Sequence, residues 1–215
     1  MRRTCASRNL ARSPVAARER CRQMVRRAVS EGDARRRTER WIDEVVIGKN
    51  LCPFAREPRA SGRIEVTTTM KSDLVEVIED VCARAMAISR LSEDERGWTE
   101  VVVAPACAEL ETFDAMLDAC EIVDGTMDAM GLNGVVQAVA FHPEFRFDGE
   151  SDEAAAFTNR SPYPSIHLLR ECDVERAVDN DKAYVESIPE TNSKTLRAIG
   201  LDALKRMLET LRAAP

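Results

Sequence analysis

At 215 residues, with 44% hydrophobic and 32% charged side chains, the chain is long enough to bury a core and has the composition of a soluble globular protein. Its formal charge of −6 hides an asymmetry: residues 1–40 carry thirteen Arg and no Lys against Glu19, Glu31, Asp33 and Glu39, a net of +9 that leaves −15 on the rest. An acidic body argues against a nucleic-acid binder, the longest apolar runs are too short to span a membrane, and seven cysteines without a C-x-x-C pair argue for a reducing compartment over a disulfide framework or zinc knuckle.

The first thirty residues hold nine Arg and one acid, Glu19, with Ser and Thr between them and no apolar stretch. That is the composition of a transit peptide for a mitochondrion or plastid, and it excludes a secretory signal. A disordered basic tail on a cytoplasmic protein is the other reading. Residues 1–34 are accordingly expected to be a leader and 35–215 a single domain.

In the body, Trp41, Ile42, Val45 and Val46 recur at helical spacing and predict a helix over about 36–47, with Gly48 able to end it and Asn50-Leu51-Cys52-Pro53-Phe54 as a tight turn. Arg63 to Thr69 reads as a strand. Asp73 can cap a helix through Leu74, Val77, Ile78, Val81, Ala85 and Ile88. Thr99 to Ala104 is a second strand, stopped at Pro105. A helix from Thr112 turns Phe113, Met116, Leu117, Cys120 and Val123 toward the core, and the Gly131–Gly134 turn leads into a strand from Val135 to Phe141. A loop of roughly twenty residues follows. Ser165 to Arg170 fits a fourth strand, Asp173 to Val178 a short helix, Ile188-Pro189-Glu190 a break, and Ser193 to Leu211 a terminal helix. Strands alternating with helices imply an α/β sandwich: one domain with a mixed, mainly parallel sheet of about four strands flanked by helices.

Both histidines fall in the last third, within 30 residues of each other, among groups suited to anions and protons. His142 stands where the third strand stops at Pro143, and ligands of open α/β sheets gather at the carboxyl ends of strands. Asn159-Arg160-Ser161-Pro162-Tyr163-Pro164 puts a guanidinium, an amide and two hydroxyls on a stiff turn. His142, His167 and Tyr163 are the candidate catalytic groups. Asn159, Arg160, Ser161 and Arg170 are the candidate substrate-binding groups, Arg160 able to grip a carboxylate or phosphate bidentately. In a regular strand His167 and Arg170 lie on opposite faces, so both cannot serve one pocket from it. Glu144, Asp148, Asp152 and Glu153 lie between the histidines, but no metal-ligand spacing is present, and neither a metal nor a cofactor is expected. Cys52 reads as a small buried hydrophobe more readily than as a reactive thiol. No G-x-S-x-G elbow is present.

Trp41-Ile42, Val45-Val46-Ile47-Gly48, Asn50-Leu51-Cys52-Pro53-Phe54-Ala55, Phe141-His142-Pro143 and Asn159 to Glu171 together resemble the family catalogued as domain of unknown function 1415, over about residues 38–200. The chain departs from that pattern at Lys49 and in the alanine-rich loop Asp148 to Phe157. The resemblance marks the segments that matter and implies no reaction. Two readings follow from the residues: a small-molecule enzyme acting on an anionic phosphate or carboxylate metabolite through a His/Arg site, or a non-catalytic organellar interaction or assembly protein whose acidic body meets a basic partner.

Overall fold

The computed structural model describes residues 29–149 and 152–213; the basic leader up to residue 28 lies outside them. Helix α1 (Glu31–Trp41) begins inside the stretch read as leader: Ser30 caps it by accepting from the Asp33 amide, and Val29 and Ala34 are buried. The chain then widens into a π-helical turn, Ile42–Ile47. Gly48 closes the turn with ordinary helical φ, and a Cβ there would collide with the Glu44 carbonyl. It is close approach, not a left-handed backbone, that requires glycine. A short helix α2 (Arg56–Ala60) precedes β1 (Ile64–Thr68). Then come α3 (Leu74–Ser89), capped by Asp73, β2 (Thr99–Val103), α4 (Phe113–Ala129), capped by Thr112, and β3 (Val136–Phe141). The long loop holds one 3₁₀ turn, Ala155–Thr158, before β4 (Ser165–Arg170). Three helices end the fold: α5 (Glu171–Asn180), α6 (Lys182–Ile199) and α7 (Leu201–Ala213).

The fold is the expected α/β sandwich with a four-stranded mixed sheet, order β1-β2-β4-β3. By pairing it is mostly antiparallel, not mainly parallel: β1 and β2 are parallel, while β4 enters between β2 and β3 and runs against both. Strands β1, β2 and β3 still point the same way, so their carboxyl ends share one end of the sheet. Alternation along the strands divides the core. Val102, Ile166 and Leu168 face α3 and α4. Val66, Val101 and Val103 face the opposite layer, with Trp41 of α1, Leu196 of α6 and Leu204 and Leu211 of α7.

Two further expectations fail for physical reasons. Leu117 is 43% exposed, on the flank of α4 next to its outward acids instead of the core face. Pro189 does not break the chain, because α6 runs through it. Around it the helix is exposed, so a carbonyl deprived of its amide partner can be solvated. The break falls at Gly200, where φ is +87°.

Candidate functional site

The carboxyl ends of β1, β2 and β3 gather the motif segments. The Thr69 amide donates to the Val103 carbonyl, the Ala104 amide to Pro164, and the His142 amide to Asn159, at 2.8, 2.9 and 3.2 Å. Phe141 and Val103 both register with Ser165. Phe141-His142-Pro143 and Asn159 to Pro164 are therefore brought together. Asn50 to Phe54 joins the α1 layer: Leu51 is buried in that core, and its carbonyl accepts from the buried Asn192 of α6 at 2.8 Å.

His142 is 1% exposed. Its Nδ1 accepts from the Glu144 amide and its Nε2 donates to the Leu110 carbonyl, both at 3.0 Å. Phe113 packs on the ring, with Phe145 against Phe113. The imidazole ties the strand-end loop to the turn before α4, and neither nitrogen faces a ligand. Beneath that turn lies a cavity of only about 10 Å³, lined by Val77, Val81, Met116, Ile166 and other apolar groups, far too small for a metabolite.

Arg160 is held on three sides. Its Nε donates to the Phe145 carbonyl at 3.0 Å, its Nη1 to Glu153 at 3.1 Å, and its guanidinium lies over the Phe157 ring at 4.6 Å. Nη2 has no partner among the described residues, and 13% of the side chain is exposed. Glu153 also accepts from Lys205 of α7 at 3.0 Å, so two cations share one carboxylate. Lys205 first and Arg160 second hold the Glu153 carboxyl below its usual range. Nearby, Asp152 pairs with Arg197 of α6.

Tyr163 is buried in the α1 layer, and its hydroxyl oxygen accepts from Arg37 Nη1 at 2.8 Å. The hydroxyl keeps its own hydrogen to donate. The buried Ser161 hydroxyl is spent on the Tyr163 carbonyl at 2.6 Å, and the Asn159 amide nitrogen reaches the Ala140 carbonyl at 3.3 Å. These two shape the turn. Arg37 was missed in the sequence because it lies where the basic leader runs into the fold; its place one turn before Trp41 on an amphipathic helix was the available signal.

His167 and Arg170 stand apart from this end. His167 lies mid-strand, paired with Val101 and Val139, on the α1 face beside Phe141. Its Nε2 meets the Thr99 hydroxyl, whose one hydrogen goes to the Leu168 carbonyl at 2.8 Å. The imidazole is therefore the donor. Burial lowers its pKa to about 4, so the ring is neutral at physiological pH. Arg170 sits at the opposite end of β4, 4% exposed. It donates to Asp173 at 2.8 Å and to the carbonyls of Leu91, Ser92 and Glu95, each at 3.2 Å. It clamps the loop before β2 and cannot reach the strand-end site.

Among the described residues no three or more His, Cys, Asp or Glu side chains are grouped as a metal site would need, and no helix is long and apolar enough to cross a membrane. A sequence model of the family described as "Protein of unknown function (DUF1415)" matches residues 33–206. No curated protein matches the chain, and no solved structure does.

Proposed function

We propose that this chain, which belongs to the DUF1415 family, is an enzyme acting on a small anionic metabolite at the carboxyl ends of β1 to β3. Arg160 is the anion-binding group in this reading, and the phosphate or carboxylate meets its Nη2. Tyr163, three residues further on and with its oxygen held by Arg37, gives the proton in this reading. His142 and Arg170 act on the fold instead: one holds the strand-end loop, the other the far end of β4.

One arrangement carries the reading. On a body of net −15, Arg160 and Lys205 share a single carboxylate, Glu153, which leaves a local positive charge. It lies beside a guanidinium already oriented by a carbonyl, a carboxylate and an aromatic ring. Such preorganisation lowers the cost of binding an anion at Nη2.

A thermal-shift screen of the full chain against inorganic phosphate and phosphorylated and carboxylated metabolites tests it, since a ligand of the folded state raises the melting temperature by mass action. The expected result is a hit that Arg160→Ala abolishes and Tyr163→Phe leaves bound but without turnover. A hit indifferent to Arg160→Ala overturns the assignment.

The Arg-rich composition of residues 1–28 supports an organellar presequence removed before Val29, the first buried residue among those described. Amino-terminal sequencing of native protein is expected to start near that residue, and a chain beginning at Met1 contradicts it.

A further inference from the structure

Trp41 is the last residue of α1, where the chain widens into its π-helical turn, a departure that recurs at functional sites. It is 2% exposed, and its indole Nε1 has no hydrogen-bond partner among the described residues. The Thr68 hydroxyl, at the end of β1, is buried and unpartnered as well. Arg63 Nε is a third such atom, but it belongs to a guanidinium whose other nitrogens are bonded to Arg96, Glu57 and Ser61. Trp41 and Thr68 differ from it, because the one polar atom of each side chain is idle.

The strand register puts both on one face. Thr68 pairs with Val103, Val103 with Ser165, and Ser165 with Phe141, so these four form a single row across the carboxyl end of the sheet. Paired residues turn their side chains to the same side. Val103 belongs to the α1-layer core, Phe141 packs against that core, and Thr68 follows its Val66 by two residues. The Thr68 hydroxyl is therefore on the α1 face. Helix α1 packs over β1 and β2, and the Trp41 ring meets Phe141 edge-on, 5.0 Å between centroids.

This row adjoins the candidate anion site. Arg37, which holds the Tyr163 hydroxyl, lies one turn before Trp41 on the same side of α1. Tyr163 shares the layer that holds Trp41, and so does Phe157, the ring under Arg160. Ser165, in the row itself, donates to the Tyr163 carbonyl at 2.9 Å.

Folded proteins pair nearly all of their buried polar atoms, and an idle one points to a partner that the chain does not supply. Here two of them share one face of one row, at the strand ends where ligands of open α/β sheets gather. The indole can only donate, so its partner offers an oxygen; the threonine hydroxyl can donate or accept. Neither group is charged, and an uncharged oxygen suits both.

We propose, on the footing that Arg160 binds the anion, that Trp41 and Thr68 set the specificity of the strand-end site by hydrogen-bonding a hydroxyl or carbonyl oxygen of the same metabolite. The substrate is then a hydroxy or oxo acid, or the phosphate ester of a polyol, and a bare alkyl acid or alkyl phosphate is a poor ligand. Thr68, half-buried on the edge strand β1, forms the rim at which the ligand enters.

The test titrates the full chain with matched pairs, lactate beside propionate and glycerol phosphate beside propyl phosphate, and follows the indole N–H signals by nitrogen–proton NMR. The chain has two tryptophans, and Trp98→Phe identifies the signal of Trp41. The hydroxylated member of a pair is expected to bind about tenfold tighter, the worth of one hydrogen bond, and to move the Trp41 signal downfield. Thr68→Val keeps the side-chain shape and is expected to bring that member down to the level of its partner without lowering the ligand-free melting temperature; Thr68→Ser restores the preference. Equal binding within each pair, a Trp41 signal that the hydroxylated ligand leaves in place, or a Trp41 N–H already bonded to a long-lived water in the ligand-free protein overturns the proposal. A response that Arg160→Ala abolishes but that ignores the hydroxyl sinks this inference alone. No response to any anion sinks the anion site and this inference with it.

Discussion

Arg160 and Arg170 belong to the same stretch of sequence, Asn159 to Glu171, and stand at opposite ends of β4 in contrasting surroundings. Arg170 is 4% exposed and its guanidinium is spent on Asp173 and three backbone carbonyls. Arg160 is oriented just as firmly, yet among the described residues one of its nitrogens has no partner, and it shares its carboxylate with Lys205. A guanidinium whose donors are consumed by carbonyls is a structural clamp. One held by its stem, its ring neighbour and half its fork is preorganised for something else. The amino end of the sheet is closed by Arg170, and the carboxyl end is where the proposal places the anion, at Arg160.

The comparison breaks most visibly at the clamp. Arg170→Ala leaves Asp173 and three carbonyls short of a donor, and equilibrium urea unfolding is expected to show a loss of about 3–5 kcal/mol, the usual cost of breaking a buried charged network. His142→Ala strands the Leu110 carbonyl and the Glu144 amide and opens a void under Phe113, for an expected loss of about 2–4 kcal/mol. If His142 were a free catalytic group, the same variant would leave stability nearly unchanged.

The third probe is pH. Burial keeps His167 neutral in the fold, its pKa lowered to about 4 from the ordinary 6.5. Above the unfolded value neither state carries the proton, and the stability contribution is complete. As pH falls from 6.5 toward 4, the unfolded chain takes up a proton that the native state refuses, and stability declines. The expected loss is on the order of 2–3 kcal/mol across that window. His167→Gln, which can still donate to Thr99, is expected to flatten the slope. An unchanged slope contradicts the assignment.

Smaller effects sharpen the same contrast. Gly48→Ala drives a methyl group into the Glu44 carbonyl and is expected to cost about 1–3 kcal/mol in the same unfolding assay. Arg160→Ala loses one part-buried ion pair, the hydrogen bond to the Phe145 carbonyl and a ring contact, for about 1–2 kcal/mol, while abolishing ligand binding. That inverse pattern, small in stability and large in binding, is what separates Arg160 from Arg170.

The local signals read well in the sequence. β4 spans Ser165–Arg170 as its pattern implies, and the caps Asp73 and Thr112 stand before their helices. Such features depend on neighbouring residues and on a period of two or 3.6. The insertion of β4 between β2 and β3 is a long-range pairing that no local period encodes. Pro189 misled because a helix exposed on that side tolerates it. The site was half legible for a related reason. Residue type told which side chains could move protons or grip anions, and strand position put His142 at the carboxyl end of the third strand. Whether a donor was already consumed depended on Leu110, Glu153 and Leu91, residues remote in sequence or ordinary in type. Arg37 and Lys205, which complete the cationic side, come from opposite ends of the chain.

The most direct test places the two arginines side by side. The anion panel is run against the full chain, Arg160→Ala and Arg170→Lys, each melted with and without ligand. A ligand-induced rise in melting temperature that vanishes in Arg160→Ala and persists in a less stable Arg170→Lys is the predicted result. No rise with any anion, or a rise that Arg160→Ala retains, contradicts the account.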